Sequence, residues 1–202
     1  MSTCSYTPDY NIIAGVDCAR FGDDKSVIAV RDRNEIIKLL KYTKLDTMQL
    51  AYKVAEVADL YRACQIYIDV IGIGSGVVDR LFELNYPIIP INVGERSFFP
   101  QKFKNLRAEL LVRLKNQLNP TNNDSLKLPN DMELRDELAN IIYEFDESGR
   151  LKIEKKDKMK EKIGRSPDSM DAIMLTVLHN FNETVGGTMN IEPVEFNYSP
   201  NK

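Results

Sequence analysis

Two short apolar runs, each ending on an aspartate, constrain this chain most strongly. Residues 11–16 read Asn-Ile-Ile-Ala-Gly-Val before Asp17, and residues 65–68 read Gln-Ile-Tyr-Ile before Asp69. Runs of this length with β-branched residues are typical of buried strands. A carboxylate among apolar residues is costly to bury unless it is paired or binds a cation. If the two strands are neighbours, both aspartates lie at one edge of the sheet, where a divalent cation would offset their repulsion.

Hydrophobic patterning along the rest of the chain predicts one mixed β-sheet with helices on both faces, in the α/β class. The predicted strands cover residues 11–16, 26–31, 35–43, 65–70 and 87–93. The predicted helices cover residues 46–61, 77–84, 102–118 and 132–140. A β-hairpin formed by residues 141–145 and 150–154 is added before a last helix that begins near Ser166. We expect the first three strands to be antiparallel.

The length and composition are those of one domain with short extensions. The chain has 202 residues, of which 43% are hydrophobic and 28% are charged. This is enough chain to bury a core without disulfides or a structural metal. We expect a leader or linker over residues 1–10, one α/β domain over residues 11–182 and a flexible tail over residues 183–202.

Cysteine spacing and hydropathy favour a soluble intracellular protein. The three cysteines, Cys4, Cys18 and Cys64, match no zinc-site or disulfide spacing, which indicates a reducing cytoplasm. No apolar run reaches the roughly 20 residues of a membrane span. No signal-peptide pattern precedes residue 11.

A third acidic position follows in the last predicted helix, which contains Asp168 and Asp171. Oxygen ligands without histidine or cysteine indicate Mg²⁺ or Mn²⁺. Each aspartate also has an ordinary structural interpretation. An aspartate at a strand end often forms a turn or a cap, and a helix cap is the favoured role for Asp168. Asp23 and Asp24 most simply form a turn. The metal-site hypothesis therefore depends on Asp17, Asp69 and Asp171 occurring together.

The basic segment, residues 150–165, contrasts with the net charge of −3 for the whole chain. It contains eight basic residues against three acids. Candidate contacts to a nucleic-acid backbone are Lys155, Lys156, Lys158, Lys160, Lys162 and Arg165. Phosphate contacts confer affinity without reading bases, so we expect weak sequence preference and affinity that falls steeply with salt. The alternative is an ordinary solvated face.

Two nucleotide-binding interpretations are weaker. Gly72, Gly74 and Gly76 follow a strand and precede a helix, as in a dinucleotide-binding loop, but the third glycine arrives one residue early. A tight turn that lets the helix pack close to the sheet is the preferred interpretation. An actin-like or heat-shock-type ATPase needs two lobes, for which this chain is too short. His179, the one histidine, matches no catalytic position and is interpreted as a packed or exposed helix residue.

Three segments resemble the nuclease motifs of phage terminase large subunits. They are residues 15–26 (GVDCARFGDDKS), 68–79 (IDVIGIGSGVVD) and 165–172 (RSPDSMDA). Asn105-Leu106-Arg107-Ala108-Glu109, between the second and third segments, is also similar to the family. The resemblance extends over about residues 12–180 in the same order. It implies a ribonuclease H-like fold for the α/β domain.

This resemblance implies a metal-dependent endonuclease that cuts double-stranded DNA with little sequence specificity. Asp17, Asp69 and Asp171 would be the catalytic metal ligands, with Asp168 as a possible fourth. Two Mg²⁺ or Mn²⁺ ions per site would activate water and stabilise the leaving 3′ oxygen. Asp17 would bridge the ions. Asn105 and Arg107 would order their helix or contact DNA.

The resemblance also implies partners and a location. The implied partners are the portal protein, the small terminase subunit and the ATPase half of the large subunit. The implied location is the cytoplasm of the bacterial host, away from membranes. No Walker A pattern occurs in this sequence, so we expect a monomeric nuclease domain without its motor. A ribonuclease H-like resolvase or transposase-type nuclease is the nearest alternative. A non-enzymatic DNA-binding module is the other, although it would not need three converging acids.

Overall fold

The computed structural model describes residues 12–19 and 24–179 of the chain. Its main sheet has five strands in the order β3-β2-β1-β4-β5. The strands are β1 (Ile12–Asp17), β2 (Ser26–Asp32), β3 (Glu35–Tyr42), β4 (Gln65–Asp69) and β5 (Ile88–Ile91). β1, β2 and β3 pair antiparallel, whereas β4 is parallel to both β1 and β5. The predicted mixed sheet and its antiparallel start are confirmed.

The register between β1 and β4 places their final aspartates at the same edge of the sheet. Val16 pairs with Ile68 in the parallel ladder, and each is followed directly by an aspartate. Because parallel strands end on the same side, Asp17 and Asp69 emerge next to each other. The condition on which the sequence argument for Asp17 and Asp69 depended, that the first and fourth strands are neighbours, is met.

Helices cover both faces of the sheet. They are α1 (Thr47–Tyr61), α2 (Gly74–Glu83), α3 (Leu106–Gln117), α4 (Met132–Ala139), α5 (Lys156–Ile163) and α6 (Asp168–Leu175), followed by a short 3-10 helix (Thr176–Leu178). Side chains alternate across a strand, so each strand contributes to two cores. On β1, Ala14 and Val16 pack in the core that includes α1 and α2, whereas Ile13 packs in the core that includes α3 and α6.

Local capping explains where two helices begin. The side chain of Asp46 accepts a hydrogen bond from the Gln49 amide and forms a capping box with Gln49, so α1 begins where predicted. α3 begins later than predicted, at Leu106 and not at Lys102, because the Asn105 side chain caps it by accepting from the Ala108 amide. The residues just before α3 instead contact the added hairpin, with the Lys104 amide donating to the Leu151 carbonyl.

The basic segment differs from its predicted form. The hairpin is present as β6 (Tyr143–Phe145) and β7 (Leu151–Ile153), which form a separate two-stranded sheet. The residues after it form α5, a helix that the sequence patterns did not predict. Of the eight residues in α5 only Met159 is buried, so α5 has no apolar stripe of the kind that identifies a helix from sequence.

Two glycines allow helices to approach the sheet closely beside Asp17 and Asp69. A Cβ atom at Gly15 would lie 2.1 Å from the carbonyl oxygen of Ala172 in α6. A Cβ atom at Gly74 would lie 1.8 Å from the carbonyl oxygen of Asp69. Such distances are impossible for a real side chain, so both positions require glycine. The tight-turn interpretation of the glycines before α2 is supported.

Among the described residues, no helix is long and apolar enough to cross a membrane. The predicted leader over residues 1–10 and the predicted tail over residues 183–202 lie outside the described residues.

Candidate functional site

Four aspartates from three separate elements form an acid cluster, which consists of Asp17, Asp69, Asp168 and Asp171. Three of them surround the ammonium group of Lys156 from α5. The Nζ atom of Lys156 lies 3.0 Å from Oδ2 of Asp17, 3.1 Å from Oδ1 of Asp168 and 3.1 Å from Oδ2 of Asp171. The side chains of these three aspartates are at most 8% exposed, so the ammonium group is a positive charge that all three share in a nearly buried site.

The backbone directs each carboxylate toward the cluster. Asp168 and Asp171 are three residues apart in α6, a spacing that places them on one face of the helix. α6 packs directly on β1 at Gly15, which brings both aspartates to the end of the strand that carries Asp17. Asp69 ends the neighbouring strand, and its Oδ1 accepts a hydrogen bond of 3.1 Å from the Ile71 amide.

Two further groups hold the α6 carboxylates. Arg107, in the first turn of α3, places its Nη2 atom 3.0 Å from Oδ1 of Asp171. The backbone N–H of Lys25 donates to Oδ2 of Asp168 at 2.8 Å. Asp171 therefore contacts two cations, one from each side, whereas Asp168 is held by an amide and by Lys156.

The charges in the cluster do not balance. Four carboxylates face two cationic side chains, Lys156 and Arg107, which leaves an excess of two negative charges when all are ionised. Burial, together with the charges of Asp171 and Asp168, raises the pKa of Asp17 to about 8, although Lys156 opposes the shift. Burial also raises the pKa of Asp69 to about 6. Although burial acts in the same direction on Asp171, Arg107 and Lys156 hold its pKa below the usual value.

The carboxylate oxygens of the cluster suit a hard divalent cation as ligands. In this structure, however, they are spaced around the ammonium group of Lys156. Carboxylate oxygens are the preferred protein ligands of Mg²⁺, at roughly 2.1 Å. As they stand, no three His, Cys, Asp or Glu side chains within residues 12–19 and 24–179 are grouped closely enough to hold a metal ion. The aspartates lie about 3 Å from the Lys156 nitrogen, so they must close in by roughly 1 Å to bind Mg²⁺ in its place.

Comparison with solved structures identified nuclease domains of phage large terminase subunits. The nuclease domain of the large terminase subunit gp2 of bacterial virus Sf6 matches with a TM-score of 0.73 at 21% identity, over 83% of this chain and 87% of that chain. The large terminase nuclease of thermophilic phage G20c with bound magnesium matches with a TM-score of 0.66 at 19% identity, over 86% and 83%. The large terminase nuclease domain of Thermus phage P74-26 matches with a TM-score of 0.60 at 19% identity, over 84% and 80%.

This chain has the terminase nuclease fold. The fold is ribonuclease H-like, as the motif resemblance implied, and it extends over most of the chain. No protein-family model matches the sequence, and no curated protein matches it.

On this terminase nuclease fold, most of the residues that were predicted to contact DNA form ion pairs with carboxylates. The ammonium group of Lys156 lies in the acid cluster, although its side chain remains 37% exposed. Lys160 pairs with Asp24, Lys162 with Glu154 and Arg165 with Asp136, at 2.5, 2.7 and 3.0 Å. Lys155 and Lys158 are exposed and form no ion pair with another described residue. Which of the six residues contact DNA stays a prediction.

Three other residues differ from or add to the sequence interpretation. Asn105 orders its helix as expected, but Arg107 contacts a cluster carboxylate, a role that its sequence context did not indicate. Glu137 of α4 is buried beside α6 and was not singled out. Its position three residues after the buried Leu134 was an available signal, because it places an acid on the apolar face of that helix.

His179 is remote from the acid cluster. Its Nδ1 atom lies 3.1 Å from Oε1 of Gln65, the first residue of β4, whereas the cluster lies at the last residue of that strand. His179 is half-buried and follows the short 3-10 helix (Thr176–Leu178) as its C-cap residue.

Proposed function

We propose that this chain is a metal-dependent endodeoxyribonuclease that cuts double-stranded DNA, and that it acts as the nuclease domain of a DNA-packaging terminase large subunit. The observation that supports this most directly is the cluster of four aspartates at the ends of β1 and β4 and at the start of α6. The cluster has more carboxylates than cationic side chains and occurs on the terminase nuclease fold. One relative with this fold is described with bound magnesium.

The residues divide the chemistry between them. Two divalent ions would supply an activated water and would stabilise the leaving 3′ oxygen, so that cleavage would leave a 3′-hydroxyl and a 5′-phosphate. Asp17 would be a ligand shared by both ions. Asp69 and Asp171 would each hold one of them, and Asp168 would be a fourth ligand. Asp171 would stay ionised because Arg107 stabilises its charge.

Lys156 would stabilise the metal-free form of this site. Three buried carboxylates in contact repel one another, and the ammonium group offsets part of that repulsion. Binding of a divalent cation would move the ammonium group out of the cluster, since both cannot contact the same oxygens. Lys156 would then join Lys155 and Lys158 near the bound phosphate backbone.

The substrate and partners follow from the same proposal. Three of the cations in the described basic segment are paired with carboxylates and the segment is rich in lysine, so we expect contacts to phosphates and little sequence preference. The nuclease would act in the host cytoplasm with the ATPase half of the large subunit, the small subunit and the portal protein. The isolated domain would be a monomer.

The first test uses supercoiled plasmid incubated with the purified chain in Mg²⁺, Mn²⁺ or EDTA, alongside Asp69→Ala. Asp124→Ala is the matched control, because Asp124 is an exposed aspartate that forms no ion pair with another described residue. We expect metal-dependent nicking and linearisation that is lost in EDTA and in Asp69→Ala and retained in Asp124→Ala.

Other outcomes separate the alternatives. Preferential cleavage of a four-way junction over linear duplex would favour a resolvase. DNA binding without cleavage in any metal, by a chain shown to be folded, would favour the non-enzymatic DNA-binding module and contradict the proposal.

A further inference from the structure

α6, the helix that contributes two aspartates to the acid cluster, has no cap from its own sequence. Its N-cap residue is Pro167, which forms no side-chain capping bond. The helices α1, α3 and α4 are each capped by the side chain of their own N-cap residue, Asp46, Asn105 and Asp131. The first amides of a helix have no partner within the helix, and in a buried helix they need an acceptor from elsewhere.

Glu137 provides that acceptor from a different helix. Its Oε2 atom accepts a hydrogen bond of 2.7 Å from the backbone N–H of Met170. Met170 is the third residue of α6 and lies between Asp168 and Asp171 in the sequence. Glu137 is 2% exposed and Met170 is fully buried, so water does not compete for this bond.

The environment of Glu137 is energetically unfavourable for an acid, so its hydrogen bond to the Met170 amide is more than an incidental contact. Burial raises the pKa of its carboxyl group to about 7, and the charges of Asp168 and Asp171 act in the same direction, whereas the Met170 amide and the charge of Lys41 oppose the shift. Burying another acid beside a cluster that already has excess negative charge is costly. An apolar residue next to Leu134 would pack there without that cost. The hydrogen bond to α6 offsets the cost of burying the acid there.

We propose that Glu137 is a positioning residue for the acid cluster. Its hydrogen bond to the Met170 amide holds the first turn of α6 in place and thereby directs the carboxylates of Asp168 and Asp171 toward the cation. This inference rests on the proposed metal-dependent function. Groups that orient metal ligands without touching the metal typically change metal affinity by about 10–100-fold when they are removed.

Three variants distinguish the effect of losing this hydrogen bond from the effect of a general loss of stability. Glu137→Ala removes the acceptor, whereas Glu137→Gln keeps a carbonyl oxygen at the same place and should restore the bond. Asp131→Ala is the matched control, because it removes the cap of α4 itself but leaves the acceptor of the Met170 amide intact. If Glu137→Ala acted only by loosening α4, Asp131→Ala would have the same effect.

Two measurements are made on each folded variant: Mn²⁺ affinity by calorimetry, and hydrogen exchange of the Met170 amide in protein labelled with ¹⁵N-methionine. For Glu137→Ala we expect Mn²⁺ binding to weaken about tenfold or more and Met170 to exchange at least about tenfold faster. Glu137→Gln should stay within about threefold of the wild type in both measurements, and so should Asp131→Ala.

The outcomes distinguish this inference from the proposed function. Wild-type protein that binds Mn²⁺ together with a Glu137→Ala variant of equal affinity overturns the positioning role and leaves the nuclease proposal standing. Equal loss in Glu137→Ala and Asp131→Ala also overturns it, since the effect would then be one of helix stability. Absence of Mn²⁺ binding by the wild type overturns the proposed function itself, and the positioning role with it.

Discussion

The acid cluster and the basic segment lie next to each other, but they are built in opposite ways. The four aspartates of the cluster come from β1, β4 and α6, elements that are far apart in the sequence, and three of them are almost fully buried. The basic segment is one continuous stretch of hairpin strand and helix, and most of its side chains remain exposed or half-buried. Lys156 is the point of contact, because it begins α5 in the segment and ends among the aspartates.

The comparison shows that burial changes how strongly a charged group affects pKa values and stability. Inside the cluster, burial away from water, together with the charges of Asp171 and Asp168, raises the pKa of Asp17 to about 8. In the basic segment, exposed pairs such as Lys152 with Glu144 are screened by water and contribute little to stability. Removal of one buried carboxylate should therefore have a large effect, and removal of one exposed lysine a small one.

The largest effect is expected for Asp17→Asn. Metal-ion catalysis contributes several kcal/mol, and each 1.4 kcal/mol is about tenfold in rate, so cleavage should fall by about a thousandfold or more. The fold should survive, because the variant removes a carboxylate that is unfavourable to ionise in this position. Plasmid cleavage and thermal unfolding in EDTA would be measured on the same preparation. Retained cleavage would show that the cluster is structural.

A smaller effect is expected for Lys156→Met, which removes the contact between the two regions. Because the ammonium group and a divalent cation compete for the same carboxylates, Mn²⁺ should bind about tenfold more tightly to the variant. In EDTA the variant should unfold at a lower temperature than the wild type, and added Mn²⁺ should reverse the order. Calorimetry and thermal unfolding test both parts. Unchanged Mn²⁺ affinity would mean that Lys156 does not occupy the cation position.

A shift of several degrees in unfolding temperature is expected from pH. The folded-state pKa values of Asp17 and Asp69, about 8 and about 6, are above the ordinary value of 3.8. The folded protein therefore binds more protons than the unfolded chain between these limits, and stability should be highest near pH 4 and fall as pH rises toward 8. Thermal unfolding in EDTA would show this slope, and Asp17→Asn should flatten its upper part. A slope of the opposite sign would contradict the charge excess in the cluster.

The smallest effect is expected in the basic segment. Lys158→Ala should weaken binding to duplex DNA a few-fold and reduce the slope of log affinity against log salt by about one. Lys162→Ala is the control, because Lys162 is already paired with Glu154 and should change the slope less. Fluorescence anisotropy between 50 and 200 mM salt, in EDTA to prevent cleavage, would compare them. An equal change in both variants would show that the ion pairs do not restrict DNA contacts.

Local sequence patterns were sufficient for the sheet and for the aspartates at its edge. Strands β1 to β5 follow from apolar runs, and the start of α1 follows from the capping residue Asp46. Asp17 and Asp69 were identifiable because each ends an apolar run, which is a property of neighbouring residues alone. The same is true of the close packing at Gly74, since a glycine before a helix is a local signal.

Long-range contacts decided the rest. α5 has a single buried residue, so no periodicity reveals it, and nothing in the sequence distinguishes Lys156 from the other lysines of the basic segment. Glu137 meets Met170 across 33 residues, and Arg107 meets Asp171 across 64. The sequence by itself determined the strands of the main sheet and the acids that end β1 and β4, because strand formation depends on adjacent residues. Only the tertiary structure decided which cation balances those acids and which buried group holds them, because both depend on the packing of separate helices against the sheet.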